Sequence, residues 1–124
     1  MDYTAPESFP RSRMLPADGL VVFVKRACPT CTLIEPLLRD LGSRNGVLRV
    51  VSQDDPQFPA GVARVIDDRE LDHSWSNGIE ITPTLLRFAG GREVERVAGW
   101  DRDGWRRLTG VEKLAEDLPA FKPG

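Results

Sequence analysis

The chain has two cysteines, and they stand three apart in Cys28-Pro29-Thr30-Cys31. A thiolate is a nucleophile and a metal ligand; a protonated thiol is a poor one of either. Two thiols one helical turn apart could close a small disulfide with little backbone movement. The chemistry open to them is thiol–disulfide exchange. Cys28 attacks a substrate disulfide, a mixed disulfide forms, and Cys31 attacks Cys28 to release the reduced substrate. This order of events wants Cys28 at a helix N-terminus, where unpaired N–H groups and the helix dipole favour negative charge. It makes Cys31, which faces into the helix, the more buried thiol. Lys25 and Arg26 stand just before Cys28 and could lower its pKa by their charge. Metal binding and two inert buried thiols are the competing readings. Zinc takes about four protein ligands, and beyond the two cysteines the chain offers a single histidine, His73, in a separate segment. A metal cluster would have to be bridged between two copies.

The elements around the motif suit the redox reading. Residues 20–24 (LVVFV) form a continuous run of β-branched and aromatic residues, as in a strand buried on both faces. Leu33, Ile34, Leu37, Leu38 and Leu41 make one apolar face at helical spacing after the motif. Pro29 fits the first turn and Gly42 the position just past the end. Pro36 falls inside and should kink the helix, because it cannot donate to the Thr32 carbonyl. Residues 47–52 read as the next strand, giving a strand–helix–strand unit with a parallel pair. Residues 53–61 read as loop, residues 62–66 as either a short strand or a helix start, and residues 68–77 as a short helix ending at Gly78. Residues 84–88 and 93–98 form a hairpin whose second arm is an edge strand with a bulge. Residues 102–118 read as helical, in two pieces broken near Gly110, where Thr109-Gly110-Val111-Glu112 has the capping-box pattern.

Composition narrows the classes. The 124 residues carry a formal net charge of −2, with 40% hydrophobic and 29% charged residues. That is one ordinary globular domain, large enough to bury a core without staples. There is no basic stripe for nucleic acid, and the arginines within residues 102–107 are diluted by Asp101, Asp103 and Glu112. No apolar run approaches the ~20 residues of a membrane span. The N-terminal stretch has no apolar segment of a secretory signal, so a cytoplasmic location is expected. Residues 1–18 read as an irregular arm and residues 19–124 as the domain.

Taken together, four features resemble the thioredoxin superfamily over roughly residues 19–118. They are Phe23 with the CxxC after a buried strand, Pro36 five residues beyond the second cysteine, the segment Gly78-Ile79-Glu80-Ile81-Thr82-Pro83-Thr84, and the strand–turn–strand that ends at Gly99. The resemblance implies an α/β thioredoxin-like fold. Its central mixed sheet would have about four strands flanked by helices, with an insertion within residues 53–70, before a cis-Pro83. It also implies a thiol–disulfide oxidoreductase with Cys28 and Cys31 catalytic and Lys25, Arg26, Pro29 and Thr30 in the active-site loop. Thr82, Pro83, Gly99 and Trp100 would line a groove in which the Thr82 backbone pairs with an extended substrate. The implied partners are disulfide-containing proteins and an upstream dithiol reductase, with no metal and no cofactor beyond the Cys28/Cys31 disulfide. A glutaredoxin-like use of glutathione and a redox-sensing or partner-binding module are the alternative functions.

The departures from the pattern are specific. Ala27 stands where the family usually has a tryptophan. Val22 stands where it has a buried aspartate that helps deprotonate the resolving cysteine, which predicts slower resolution or a substitute such as Glu35. Trp75 and Trp105 read as core or half-buried residues, Trp100 as either a groove or a packing residue, and His73 as a helix-capping or surface residue or else a proton carrier. Asp54-Asp55 reads as a turn before Pro56.

Overall fold

The computed structural model describes residues 15–44 and 48–124. The core of the fold is β1 (Gly19–Val24), whose five residues from Leu20 to Val24 point alternately to two apolar clusters. Leu20, Val22 and Val24 face one side with Cys31, Ile34, Leu38 and Trp105; Val21 and Phe23 face the other with Val51, Ile66 and Leu86. A strand with two-residue periodicity buries every side chain only when both faces are covered, which is why LVVFV has no polar position. β1 pairs in parallel with β2 (Leu48–Ser52), Val22 opposite Val50, and antiparallel with β4 (Thr84–Ala89), Phe23 opposite Thr84. β3 (Ile66–Asp67) adds to β2, and β5 (Arg92–Ala98) to β4, giving a five-stranded mixed sheet in the order β3-β2-β1-β4-β5. The resemblance implied about four strands. The fifth is the two-residue β3, too short to show a period and lying in the insertion. β5 is an edge strand, and its register shifts at Arg87/Phe88 of the partner.

The helix after the cysteines is broken rather than kinked. α1 (Pro29–Leu33) ends at Ile34, and α2 (Glu35–Ser43) starts afresh with Pro36 in its first turn. A proline has no N–H to give, and the first turn of a helix is where none is needed. Gly42, expected just past the helix end, lies within α2, which runs on to Ser43. Between residues 53 and 65 the insertion folds against α2: Phe58 is buried in the cluster beside it, and the Ala60 N–H donates to Glu35 Oε2 at 2.9 Å.

α3 (Asp72–Ser76) is shorter than the stretch 68–77 suggested, because Leu71 takes a left-handed conformation, φ 63°, and the chain turns there. The C-terminal region also differs from expectation. α4 (Arg102–Thr109) begins with the Asp101 carboxylate accepting the Gly104 N–H and ends at a left-handed Gly110; residues 112–117 are turns, not a second helix. The Thr109 hydroxyl donates back to the Trp105 carbonyl and accepts the Val111 N–H, so no capping box forms. A two-stranded ribbon pairs β6 (Trp100–Asp101) with β7 (Phe121–Lys122). Of the expected arm, residues 1–14 lie outside the described residues; Asp18 accepts the Gly90 N–H at the hairpin turn.

Candidate active site

β1 ends at Val24, and the next four residues turn the chain into α1. The turn is held by two bonds from outside it and one within it. The Asp54 carboxylate accepts the N–H groups of Arg26 (2.7 Å) and Ala27 (3.0 Å), and the Cys28 N–H donates to the Lys25 carbonyl at 3.1 Å. Asp54 was expected only to make a turn before Pro56; in the fold it anchors the cysteine loop. Arg26 was expected to supply charge to Cys28, but its guanidinium pairs with Asp55 at 2.8 Å. Lys25 is exposed and lines the cleft over Cys28.

Cys28 is the N-cap of α1. Its Sγ accepts the Cys31 N–H at 3.2 Å, and in the thiol form its S–H donates to the Thr82 carbonyl at 3.3 Å. Cys28 is 6% exposed and Cys31 fully buried. These surroundings separate the two acidities. Burial by itself would raise Cys28, but hydrogen bonds from the Cys31 thiol and N–H, the Thr82 side chain and the Thr30 backbone outweigh it and hold Cys28 below an ordinary thiol. Cys31 goes the other way, pushed up to about 12 first by burial, then by its hydrogen bond to Cys28 and by the charge of that sulfur. One thiol is poised to ionise and the other to keep its proton, as sequential exchange requires.

The remaining predicted residues divide into those the fold brings to the cysteines and those it does not. Thr82 lies against Cys28, and the Thr82–Pro83 peptide bond is cis, as is Phe58–Pro59. The Pro83 carbonyl accepts the Gly99 N–H at 2.7 Å, tying the two loops. Pro29 opens α1, and the buried Thr30 hydroxyl donates to the Pro123 carbonyl at 2.6 Å. Gly99, φ 76°, was expected to face substrate, but the chain's own segment 122–124 covers it; a Cβ there would lie 3.3 Å from Lys122 O and Gly124 N. Trp100 is not in the groove either. It is fully buried, 5.2 Å from Trp105 between ring centres, and its indole N–H donates to Pro119 O at 2.7 Å. A side chain one residue beyond Gly99 alternates to the core face.

Trp75 departs from expectation in the opposite sense. It was read as core or half-buried and is 87% exposed. The inward position of α3 is taken by Ser74, whose hydroxyl donates to the buried Asp68 (2.6 Å) and accepts from Gln53 Nε2 (2.9 Å), so its neighbour Trp75 faces out. Asp68 also accepts the N–H groups of His73 and Ser74 and so caps α3 from a turn away. His73 sits in that capped first turn and is not among the residues lining the cleft over Cys28. Leu71, Trp75, Ile81 and Thr82 line, with Cys28 itself, a cleft of about 530 Å³. Among the described residues no three His, Cys, Asp or Glu side chains gather as a metal site, and no helix is long and apolar enough to cross a membrane.

No protein-family model matches the chain. Among the solved structures that resemble it are thioredoxins. That of Malassezia sympodialis superposes with a TM-score of 0.51 at 18% identity over 76% of each chain. Thioredoxin f2 of Chlamydomonas reinhardtii does so with 0.50 at 24% identity, over 80% of this chain and 83% of that one. A variant thioredoxin of Halobacterium salinarum gives 0.51 at 25% identity, over 83% and 79%. By sequence, "Putative thioredoxin H10" of Arabidopsis thaliana is 28% identical over 99 residues. The chain resembles thioredoxins in both sequence and fold. The fold is the mixed sheet flanked by helices that these thioredoxins share. The matched stretch is 77% of this chain, and the chain spans about half the length, 53%, of that relative.

Proposed function

We propose that the chain is a thiol–disulfide oxidoreductase that reduces or exchanges protein disulfides through Cys28 and Cys31. The observation that carries the reading is the split acidity of the pair: Cys28 lowered at the start of α1, and Cys31 buried beneath it at about 12. The Cys28 thiolate attacks one sulfur of the substrate disulfide. That S–S bond breaks, and the other sulfur leaves as a thiolate and takes a proton. Cys31 then gives up its proton as its sulfur attacks Cys28 Sγ, and the departing second substrate sulfur takes that proton. The products are the Cys28/Cys31 disulfide and two substrate thiols, so an upstream dithiol must recharge the protein.

The second step is helped by the first. Two of the causes that hold Cys31 high, its hydrogen bond to Cys28 and the charge on that sulfur, vanish once Cys28 is in the mixed disulfide. Burial remains, and Val22 lies in the same cluster as Cys31 with no carboxylate to offer. Glu35 is no substitute as it stands, since its carboxylate is turned to the Ala60 N–H. The reading carries a cytoplasmic setting, an upstream dithiol reductase as donor and no further cofactor.

Its test is equilibration in glutathione buffers followed by trapping of free thiols. The expected result is a reversible two-electron transition between dithiol and the Cys28/Cys31 disulfide, and a stable mixed disulfide with Cys31→Ser. Failure to form that intramolecular disulfide would overturn the reading. Turnover with glutathione as sole donor would move it to the glutathione-dependent class.

A further inference from the structure

Three of the five exposed large apolar side chains among the described residues, Leu71, Trp75 and Ile81, line the one cleft that contains Cys28. Scattered apolar residues on a surface need no explanation, but a cluster at a reactive group does. The chain itself enters the same cleft, where Gly124 is one of the lining residues. β7 pairs with β6 through Trp100/Lys122 and Asp101/Phe121, and the next residue accepts the Thr30 hydroxyl bond. Gly124 then lies so close to the Thr82 carbonyl that a Cβ there would overlap it. Residues 121–124 therefore lie along Thr30, Thr82 and Gly99, the side on which the resemblance placed the substrate backbone.

An incoming disulfide must bring a sulfur in line with Cys28 Sγ, and only 6% of Cys28 is exposed. With one side walled, the approach is from α3. Resting on the oxidoreductase reading, we propose that the cleft is one-sided: residues 121–124 close the side of Thr30, Thr82 and Gly99 up to Ile81, and the polypeptide flanking the substrate cysteine lies on Trp75 and Leu71. The selected substrate is then a disulfide with apolar or aromatic residues next to the reacting cysteine. An exposed indole offers the largest apolar area of any side chain at little ordering cost, which is why such residues anchor interfaces. The proposal makes Trp75 a specificity-determining residue, at a position the family's pattern does not mark, with Ala27 leaving open the space beside it.

The test uses Cys31→Ser protein and two 2-thiopyridyl disulfides, one of a Leu–Cys–Phe peptide and one of mercaptoethanol. Cys28 attacks the sulfur of the peptide or of mercaptoethanol, thiopyridone leaves, and its absorbance gives the rate. A thiol with no redox role still reacts with these activated disulfides, so failure of the oxidoreductase reading and failure of the one-sided cleft are separate results. The readout is the ratio of the two rates. It should favour the peptide, fall at least five-fold in Trp75→Ala and be largely kept in Trp75→Phe. Gly124→Ala, which cannot seat against Thr82, should leave the ratio no higher. An unchanged ratio in Trp75→Ala overturns the proposal. So does a several-fold rise in Gly124→Ala, which would show that residues 121–124 occupy the substrate's place. So does a dimer in sedimentation that Trp75→Ala dissociates, since a second copy would then be the occupant.

Discussion

A cysteine becomes a nucleophile at neutral pH when something holds its thiolate, and at Cys28 that is hydrogen bonding more than charge. The nearest cation in sequence, Arg26, is spent on Asp55, while the Cys31 N–H and the Thr82 and Thr30 bonds face the sulfur. Alkylation of the reduced protein with iodoacetamide should therefore label Cys28 with a midpoint below the ordinary 9.0 and spare Cys31, whose own value is about 12; equal labelling of both thiols at pH 7 would contradict this. Arg26→Ala should move that midpoint little, because the guanidinium is not among the groups that lower it. A second residue-scale prediction concerns Val22, fully buried under the pair. Val22→Asp places a carboxyl where the family has one. It should shorten the life of a mixed disulfide during resolution, read by quenched gels. It should also destabilise the fold by on the order of 3 kcal/mol in urea, because a buried carboxyl without partners loses its hydration. The cysteines, Pro83 and the missing aspartate were all legible in the sequence, since residue type and spacing carry them. The direction of Arg26 was not, because it depends on an aspartate 29 positions away.

The elements that hold the site differ in how they are held. α1 is capped by its own N-cap residue, Cys28, whereas α3 is capped from outside by Asp68, buried at 2% exposure and accepting from His73 N–H, Ser74 N–H and the Ser74 hydroxyl. Asp68→Ala leaves those donors unpaired in a dry site. It should cost about 2 kcal/mol and raise hydrogen exchange across residues 72–76 before the rest of the chain, and Asp68→Asn should recover part of both. Exchange rising uniformly over the whole sheet would mean that Asp68 supports the core and not α3. β1, β4 and β5 were legible because a strand period of two or an unbroken apolar run is a local signal. The helix break at Ile34 was half legible: Pro36 marked the place but not whether the axis would bend or restart. The two-residue β3, the five-residue α3 and the ribbon of β6 with β7 carry no period at all. The ribbon exists through Trp100 N–H to Pro119 O and through pairing across about twenty residues, which no window along the sequence contains.

At the scale of the whole molecule the cysteines sit where the sheet changes sense, β1 being parallel to β2 and antiparallel to β4. Loops from both neighbours meet at the C-terminal end of β1, and open α/β sheets place their sites at such points. The same position couples the redox state to global stability, because each thiol titrates differently in the folded and unfolded chains. Cys28 has a folded pKa below 9.0, so the unfolded chain binds more protons between the two values, and the reduced fold gains stability as pH rises through that window. Cys31 has a folded pKa of about 12, so above 9 the folded chain holds the proton that the unfolded chain loses, and stability falls from pH 9 upward. With each unit worth about 1.4 kcal/mol, the full loss from Cys31 is on the order of 4 kcal/mol. The oxidised protein has neither thiol and titrates in every other group alike. The unfolding free energy of the reduced form minus that of the oxidised form, measured in urea from pH 6 to 10.5, should therefore climb to a maximum near pH 9 and then decline. Cys31→Ser forms no intramolecular disulfide, so its reference is the Cys28→Ser, Cys31→Ser double variant: the unfolding free energy of the single variant minus that of the double should keep the climb and lose the decline. A difference that stays flat across this range would mean that the two thiols are equally acidic in the fold, and the division of labour between attacking and resolving cysteine would have no physical basis.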